Sequence, residues 1–173
     1  MKNLTKTILG EIERKAKRNE RHYRKNDGTA KCVVSNANIN YFDESEQKWK
    51  HTDNSIIEAD GCYEANLGKF KTRLSKSAEN SFIEVYGTDM SVSWKYLGVD
   101  NPKTRRSTSK VKTNKIVKNN LTLSGEAIYK NVNEGVDIQY MLCGNNIKEN
   151  IVVRKKQNSY NFKFEYSQQT DLR

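Results

Sequence analysis

Apolar and polar side chains alternate along most of the chain after residue 27. In DMSVSWKYLG (89–98), Met90, Val92 and Trp94 fall on one face of an extended chain, and Ser91 and Ser93 fall on the other. A period of two is typical of half-buried antiparallel strands. Short turn sequences, such as DG (27–28) and GNN (144–146), separate the alternating segments. The pattern predicts an all-β fold, an antiparallel β-sandwich of about ten to twelve short strands.

The first twenty residues show a different spacing. Leu4, Ile8, Ile12 and Ala16 recur every four positions, which predicts a short N-terminal helix over residues 3–20. Gly10 weakens this helix by about 1 kcal/mol relative to alanine. We therefore expect an N-terminal helix and basic arm at 1–26, a β-sandwich module at 27–167 and a polar tail at 168–173.

The chain carries 31 Lys and Arg against 21 Asp and Glu, a formal net charge of +10. Part of the excess lies in KTRRSTSKVKTNKIVK (103–118), which contains no acid. Such a segment attracts anionic polymers or surfaces, although a solvated loop has the same composition. The candidate patch for an anionic partner consists of Arg105, Arg106, Lys110 and Lys112. Nucleic acid is not the predicted partner because no recognised binding motif is present.

No apolar stretch approaches the roughly 18–20 residues of a membrane span, and the first residues lack the apolar run of a secretory signal. The sequence therefore predicts no membrane span and by itself leaves the localisation open.

Cysteines and histidines are the residues that most often bind metals or act as nucleophiles. Cys32, Cys62 and Cys143 lack metal-ligand spacing, so we expect free, mostly buried thiols, with a Cys62–Cys143 bridge left open. His22 and His51 are expected to be exposed or hydrogen-bonded. A Cys–His nucleophile would require a thiol beside one of them, and Cys32 is interpreted as a core residue. The sequence predicts no metal site and no cofactor.

Asp137 and Glu149 flank the GNN turn and are the obvious candidates for a pair of catalytic carboxylates. A turn centred on Asn145–Asn146 places Leu142 opposite Glu149 and separates the two carboxylates by about 16 Å along the strands. Even the wider glycosidase arrangement requires only about 6.5–9.5 Å. We therefore predict that Asp137 accepts backbone N–H hydrogen bonds, that Glu149 pairs with a cross-strand lysine, and that the chain has no catalytic residues.

Trp49 is the best candidate for an exposed aromatic side chain, because it lies between Lys48 and Lys50. An exposed indole could stack on a sugar ring, and the lysines could attract an anionic polymer. The predicted ligand-binding residues are Trp49, Lys48 and Lys50, whereas Trp94 is assigned to the core.

A set of short motifs follows in a fixed order along residues 20–167. Its members are DGTAKCVVSNANINYFDESEQKWKHTDNSI (27–56), SVSWKYLG (91–98), AIYKNVNEGVDIQYML (127–142), IKENIVVRK (147–155) and NFKFEY (161–166). Together they resemble the N-terminal β-rich module of large Gram-positive surface or exported proteins that carry DNRLRE-type or Rhs/YD-repeat regions. That family usually has proline at the position of Glu134.

This resemblance implies a β-sandwich module to which no catalytic residues are assigned, at the cell surface or outside the cell. Its implied partners are other modules of a larger assembly or an anionic cell-wall polymer. The predicted function is a non-catalytic structural or interaction module of such an assembly. The alternative is a module that binds carbohydrate or a cell-wall polymer.

Overall fold

The computed structural model describes residues 7–66, 68, 70–77, 82–99, 112–118 and 121–170. Across these residues the fold consists of antiparallel strands and turns, so the predicted all-β class is confirmed. The chain divides into two compact units. We call the residues up to Thr52 unit 1 and the residues from Asp53 onwards unit 2.

Unit 1 is built from five strands within the described part of the chain. They are β1 (Ile8–Glu11), β2 (Glu20–Lys25), β3 (Ala30–Val34), β4 (Asn40–Asp43) and β5 (Lys48–His51). The first three form an antiparallel sheet in chain order, and β4 and β5 form a separate hairpin. The DESEQ segment (43–47) connects β4 to β5.

The predicted N-terminal helix is wrong for the described residues of its span. Ile8–Glu11 is a strand paired with β2, and a single 3-10 turn at Glu13–Lys15 follows it. The apolar stripe does not form a packed face, because Ile8 is 44% exposed and Ala16 is buried. β-Branched residues and Gly10 favour a helix poorly, and pairing with β2 satisfies the backbone over a distance that a local period does not reveal. Leu4 lies outside the described residues.

Polar groups occupy the interior of unit 1. The Arg21 side chain is buried, and its Nε donates to Asn40 Oδ1 at 2.9 Å while its Nη2 donates to the Ile39 carbonyl at 2.8 Å. The Asn40 side-chain amide donates in turn to the carbonyl oxygens of Lys17 and Glu20. These bonds fasten the start of β4 to the start of β2, so hydrogen bonding rather than a large apolar core sets this arrangement.

Unit 2 contains the remaining strands of the described residues. They are β6 (Ile57–Glu58), β7 (Cys62–Asn66), β8 (Lys71–Ser75), β9 (Phe82–Tyr86), β10 (Met90–Val99), β11 (Lys112–Lys118), β12 (Leu121–Asn133), β13 (Val136–Cys143), β14 (Asn146–Val153) and β15 (Phe162–Thr170). Six of them form a sheet in the order β15–β10–β9–β8–β7–β6. The other four form a sheet in the order β11–β12–β13–β14.

The core of unit 2 is apolar and draws on both sheets. Strand β13 shows the predicted alternation, since every second residue from Val136 to Leu142 has no exposed surface. Val136, Ile138 and Tyr140 share one cluster with residues of the six-stranded sheet, including Leu74, Ile83 and Tyr96. Leu142 packs with Ala65 of the same sheet in a second, smaller cluster. Trp94 is partly buried and packs against the same cluster, as predicted. Burial of apolar area is therefore the main stabilising contribution in unit 2.

Among the described residues, three polar contacts that join the two sheets of unit 2 fix their relative positions. The Tyr129 hydroxyl donates to the Ser75 carbonyl at 2.9 Å, and the Asn133 amide donates to the Tyr96 hydroxyl at 2.6 Å. The third contact joins the Trp94 indole to a carboxylate of β14. Burial raises the pKa of the Tyr129 hydroxyl well above its ordinary value, so it remains a donor.

Gly125 marks a close approach of two segments inside unit 2. A Cβ atom at this position would lie 2.0 Å from the Asn54 carbonyl oxygen and 3.0 Å from Ile56 Cγ1. Both contacts are shorter than van der Waals distances, so this position of β12 accommodates only glycine without movement of the backbone.

The division of the chain differs from the segments expected from the sequence. The expected boundary between residues 26 and 27 lies within the turn that joins β2 to β3. Residues 168–170, expected in a polar tail, continue β15, where Thr170 pairs with Met90. Among the described residues, no helix has the length and apolar character needed to cross a membrane.

Candidate functional site

The two carboxylates that flank the GNN turn lie on opposite faces of the four-stranded sheet. Tyr140 pairs with Glu149, so Glu149 points to the same side as Tyr140, the side of the core. Asp137 precedes Tyr140 by three residues, and its side chain therefore points to the other side. The expected pairing of Leu142 with Glu149 was wrong by two residues, because the two turn residues are Gly144 and Asn145 rather than Asn145 and Asn146. The two carboxylates cannot act on a common atom.

Asp137 supports an irregular part of β12. Its Oδ1 accepts the backbone N–H of Asn131 and an Nη2 bond from Arg154, both at 2.7 Å. Asn131 has a φ of 50° and lies where the pairing of β12 with β13 shifts register. The prediction that Asp137 accepts a backbone N–H is confirmed. The Asp137 carboxylate therefore has a structural role.

Glu149 faces the other sheet. Its Oε2 accepts the Trp94 Nε1–H at 2.7 Å, so its partner is an indole and not the predicted cross-strand lysine. Burial first, and the charge of Glu149 second, raise the pKa of the Tyr140 hydroxyl far above its ordinary value. Glu149 therefore contributes a structural contact between the sheets.

The three candidate residues for a glycan or polymer site lie on two faces of the β4–β5 hairpin. Trp49 pairs with Phe42, and their rings meet edge to face with centroids 5.4 Å apart. Because neighbours along a strand point to opposite faces, Lys48 and Lys50 lie on the face away from Trp49. The structure does not bring the indole and the two ammonium groups into one surface.

Both lysines of this hairpin are already paired with acids. Lys50 Nζ lies 2.6 Å from Asp43 Oδ2 and also contacts Glu46, and Lys48 Nζ lies 2.7 Å from the other Glu46 oxygen. Hydrogen bonds from these lysines lower the pKa values of Asp43 and Glu46. The hairpin therefore presents a nearly neutral ion-pair cluster on this face.

The candidate anionic-partner patch falls largely outside the described residues. Arg105, Arg106 and Lys110 lie there, and Lys112 begins strand β11 with a side chain that is not described. The second half of this basic stretch forms strand β11.

All three cysteines are free, and one of them differs from the core position expected for it. Cys32 is exposed, whereas Cys62 and Cys143 are partly buried. Burial and the nearby Glu64 raise the pKa of the Cys62 thiol, which makes it a poor nucleophile. Cys32 Sγ lies 3.7 Å from His22 Nε2. A thiol therefore lies beside an imidazole at the surface, which the sequence did not predict.

This Cys–His contact was missed because β2 was interpreted as part of a helix and a basic arm. Glu20, His22 and Cys32 place their ligand atoms within 4.8 Å of one another. Residues 20–25 form a strand, and the three-residue turn Asn26–Asp27–Gly28 joins it to β3, so His22 lies opposite Cys32. The DG sequence signals a turn at this place, but a two-residue DG turn would have placed His22 opposite Val33.

A hollow of about 240 Å³ lies on unit 2 and is lined by residues that include Asp53, Glu64 and Lys71. It is smaller than the roughly 300–1,000 Å³ of typical ligand pockets. Its two carboxylates are engaged elsewhere, since Asp53 accepts the Ser55 N–H and Glu64 accepts a 3.0 Å bond from Arg73. The hollow does not present a free pair of acids.

Strand β15 is a long edge of the six-stranded sheet. It pairs with β10 from Val99↔Phe162 to Met90↔Thr170, and among the described strands no other neighbour covers its outer side. Residues 165–170 are exposed, and Tyr166 is 69% exposed although it shares the face of Phe162 and Phe164. The row of backbone N–H and C=O groups at such an edge is a ready template for another strand.

Strand β15 also carries two side chains of opposite charge. On β15, Lys163 and Glu165 lie on the face opposite Phe164, two positions apart and both exposed. The exposed aromatic and the two opposite charges make β15 the candidate functional site.

Comparisons of the chain with protein-family models, with curated proteins and with solved structures found no match.

Proposed function

We propose that the chain is a non-catalytic interaction module, built in unit 2 as a β-sandwich, that joins a larger assembly through strand addition. The shared apolar core of the four- and six-stranded sheets supports the sandwich. The resemblance of the sequence motifs supports a setting among bacterial surface or exported proteins. The structural contacts of Asp137 and Glu149 support a non-catalytic role for these two carboxylates.

The observation that carries this proposal is the outer edge of β15, which no other strand of the described residues covers. Nine residues pair fully on one side, and the outer side carries no proline to block a further strand. Natural edge strands are usually shortened, bulged or covered. An edge of this length favours β-augmentation, in which main-chain hydrogen bonds supply affinity and side chains supply selectivity.

The occupant of this edge is a second copy of the chain. In an antiparallel pair of two β15 strands centred on Phe164, Lys163 of each copy lies opposite Glu165 of the other. Phe162 then lies opposite Tyr166. Two opposite-charge pairs and two aromatic pairs favour this register, and a two-fold axis generates both sets from one strand.

Charge-reversal variants of β15 test this pairing. We expect the wild-type chain to dimerise in sedimentation equilibrium between about 10 μM and about 1 mM. Lys163→Glu alone and Glu165→Lys alone each turn two attractive pairs into two repulsive ones, and we expect each to weaken dimerisation about tenfold. An equimolar mixture of the two variants restores opposite charges at both positions and is expected to regain wild-type affinity as a heterodimer.

The matched control reverses a charge on another strand of the same unit. Lys148→Glu on the edge strand β14 changes net charge as Lys163→Glu does, and it is expected to leave dimerisation unchanged. A wild-type chain that remains monomeric over the whole range would overturn the proposed function. So would two β15 variants that associate as strongly as the wild type.

A further inference from the structure

Three chemically different ligand groups converge on the β2–β3 hairpin of unit 1. Glu20 and His22 are two residues apart on β2 and point to the same face. Cys32 is the direct cross-strand partner of His22, so its side chain joins them. One carboxylate oxygen, one imidazole nitrogen and one sulfur therefore lie within 4.8 Å of one another.

The separations of these atoms approach those of a tetrahedral zinc site. With Zn–N and Zn–O bonds of about 2.1 Å and a Zn–S bond of about 2.3 Å, neighbouring ligands lie about 3.4–3.6 Å apart. His22 Nε2 lies 3.4 Å from Glu20 Oε2 and 3.7 Å from Cys32 Sγ. The remaining sulfur–oxygen separation lies within 4.8 Å and would shorten to about 3.6 Å when the ion binds.

The same geometry argues against a nucleophilic triad. In a triad, one ring nitrogen of histidine faces the nucleophile and the other faces the acid. Here Nε2 alone lies near both the sulfur and the carboxylate. Three groups that converge on one point suit a shared cation, not a relay of protons through the ring.

We propose that Glu20, His22 and Cys32 bind one zinc ion, with water as the fourth ligand. A thiolate and an imidazole select a borderline-soft divalent ion, and the carboxylate completes a mixed set that zinc accepts. Binding replaces the thiol proton, so one sulfur–zinc bond forms and one H⁺ passes to solvent. The site lies in unit 1 and does not depend on strand addition at β15.

The surroundings leave room for both the ion and its water ligand. The side chains of His22 and Glu20 are 21% and 25% exposed, and Cys32 is exposed. Lys17 Nζ lies 3.2 Å from Glu20 Oε2, but its side chain is 67% exposed and can swing into solvent. The zinc ion would then take over the charge pairing that Lys17 provides to Glu20.

Cobalt substitution of the full chain tests the site directly. We expect one equivalent of Co²⁺ to produce the thiolate-to-cobalt charge-transfer band and the visible bands of a tetrahedral ion, and one equivalent of Zn²⁺ to abolish both. Cys32→Ser is expected to remove the charge-transfer band. His22→Gln and Glu20→Gln are expected to weaken zinc affinity about tenfold or more, measured against a chromophoric chelator.

Two variants serve as matched controls. Cys62→Ser and His51→Gln remove the same residue types elsewhere and are expected to leave the spectrum unchanged. Zinc should also protect Cys32 from alkylation, read by mass spectrometry of the modified peptides, while Cys62 and Cys143 react as before.

An absent charge-transfer band in the wild type, or equal zinc affinity in Cys32→Ser, would overturn the proposal. Circular dichroism establishes that each variant retains its strands.

Discussion

Unit 1 and unit 2 are both antiparallel β structures, but their interiors are built in different ways. The fully buried side chains of unit 2 include Leu74, Ile83 and Tyr140, whereas the interior of unit 1 contains the charged Arg21 and the polar Asn40. Apolar packing does not require particular orientations of the side chains, whereas a buried guanidinium requires hydrogen-bond acceptors at fixed positions. Unit 1 therefore depends on a few hydrogen bonds, and its polar strands leave chemically active side chains at the surface.

The largest expected effect comes from breaking the apolar interior of unit 2. Ile138→Ala removes a side chain with no exposed surface, and we expect a loss of about 2–5 kcal/mol in the free energy of unfolding. Each unit holds one tryptophan, so ¹⁹F NMR of 5-fluorotryptophan during urea unfolding follows Trp94 separately from Trp49. Val152→Ala, at a side chain that is 39% exposed, is the control and should change stability by less than about 0.5 kcal/mol. A loss below about 1 kcal/mol for Ile138→Ala would contradict the central position of this side chain.

A second test of the same interior adds one methyl group instead of removing several. Gly125→Ala forces a contact with the Asn54 carbonyl oxygen, and we expect a loss of about 1–3 kcal/mol in the Trp94 transition. Gly10→Ala is the matched control, since nothing lies within 4 Å of a Cβ added there. Equal midpoints for both variants would show that the two segments near Gly125 do not approach closely.

The corresponding test in unit 1 removes a hydrogen-bonding group. Asn40→Ala leaves buried Arg21 without its Nε acceptor and removes one of the two donors to each of the Lys17 and Glu20 carbonyl oxygens. We expect a loss of about 1–3 kcal/mol in the transition followed by Trp49. Asn36→Ala, at an exposed position, is the control. If Asn40→Ala behaves like Asn36→Ala, hydrogen bonding does not determine the arrangement of unit 1.

The same contrast explains which parts of the fold the sequence predicted. In unit 2 the alternation of apolar and polar residues is strong, so strands such as β13 and β15 were predicted correctly. In unit 1 the strand β2, ERHYRK, has almost no apolar residue to alternate. A four-residue spacing between Ile8, Ile12 and Ala16 then favoured a helix that pairing with β2 overrides.

Side-chain neighbours were harder to predict than strands because they depend on register. In the β13–β14 hairpin the register differs by two residues from the expected one, so the cross-strand neighbour of Glu149 is Tyr140 and not Leu142. The contact of Glu149 with Trp94 joins residues 55 positions apart in the sequence, on different sheets. Neither contact has a local sequence signal, whereas the DG sequence signals the turn between His22 and Cys32 but not the register of their pairing.

The smallest expected effect is a pH dependence of the β4–β5 hairpin, where the paired charges lie at the surface. Lys50 lowers the pKa of Asp43 below its ordinary value of 3.8, and Lys48 lowers that of Glu46 below 4.5. A carboxylate whose pKa is lower in the folded state stabilises that state above the ordinary pKa, and this contribution disappears as the pH falls through the lowered value. As the pH falls from about 5 to about 2 we therefore expect the ¹⁹F signal of Trp49 to broaden or shift before that of Trp94, in a manner that added salt weakens. Asp43→Asn removes the main acceptor of Lys50 and should flatten this dependence, while Asp60→Asn, on an exposed turn of unit 2, should leave it intact. Simultaneous changes at both tryptophans, or an unaltered profile in Asp43→Asn, would show that this ion-pair cluster does not control the hairpin.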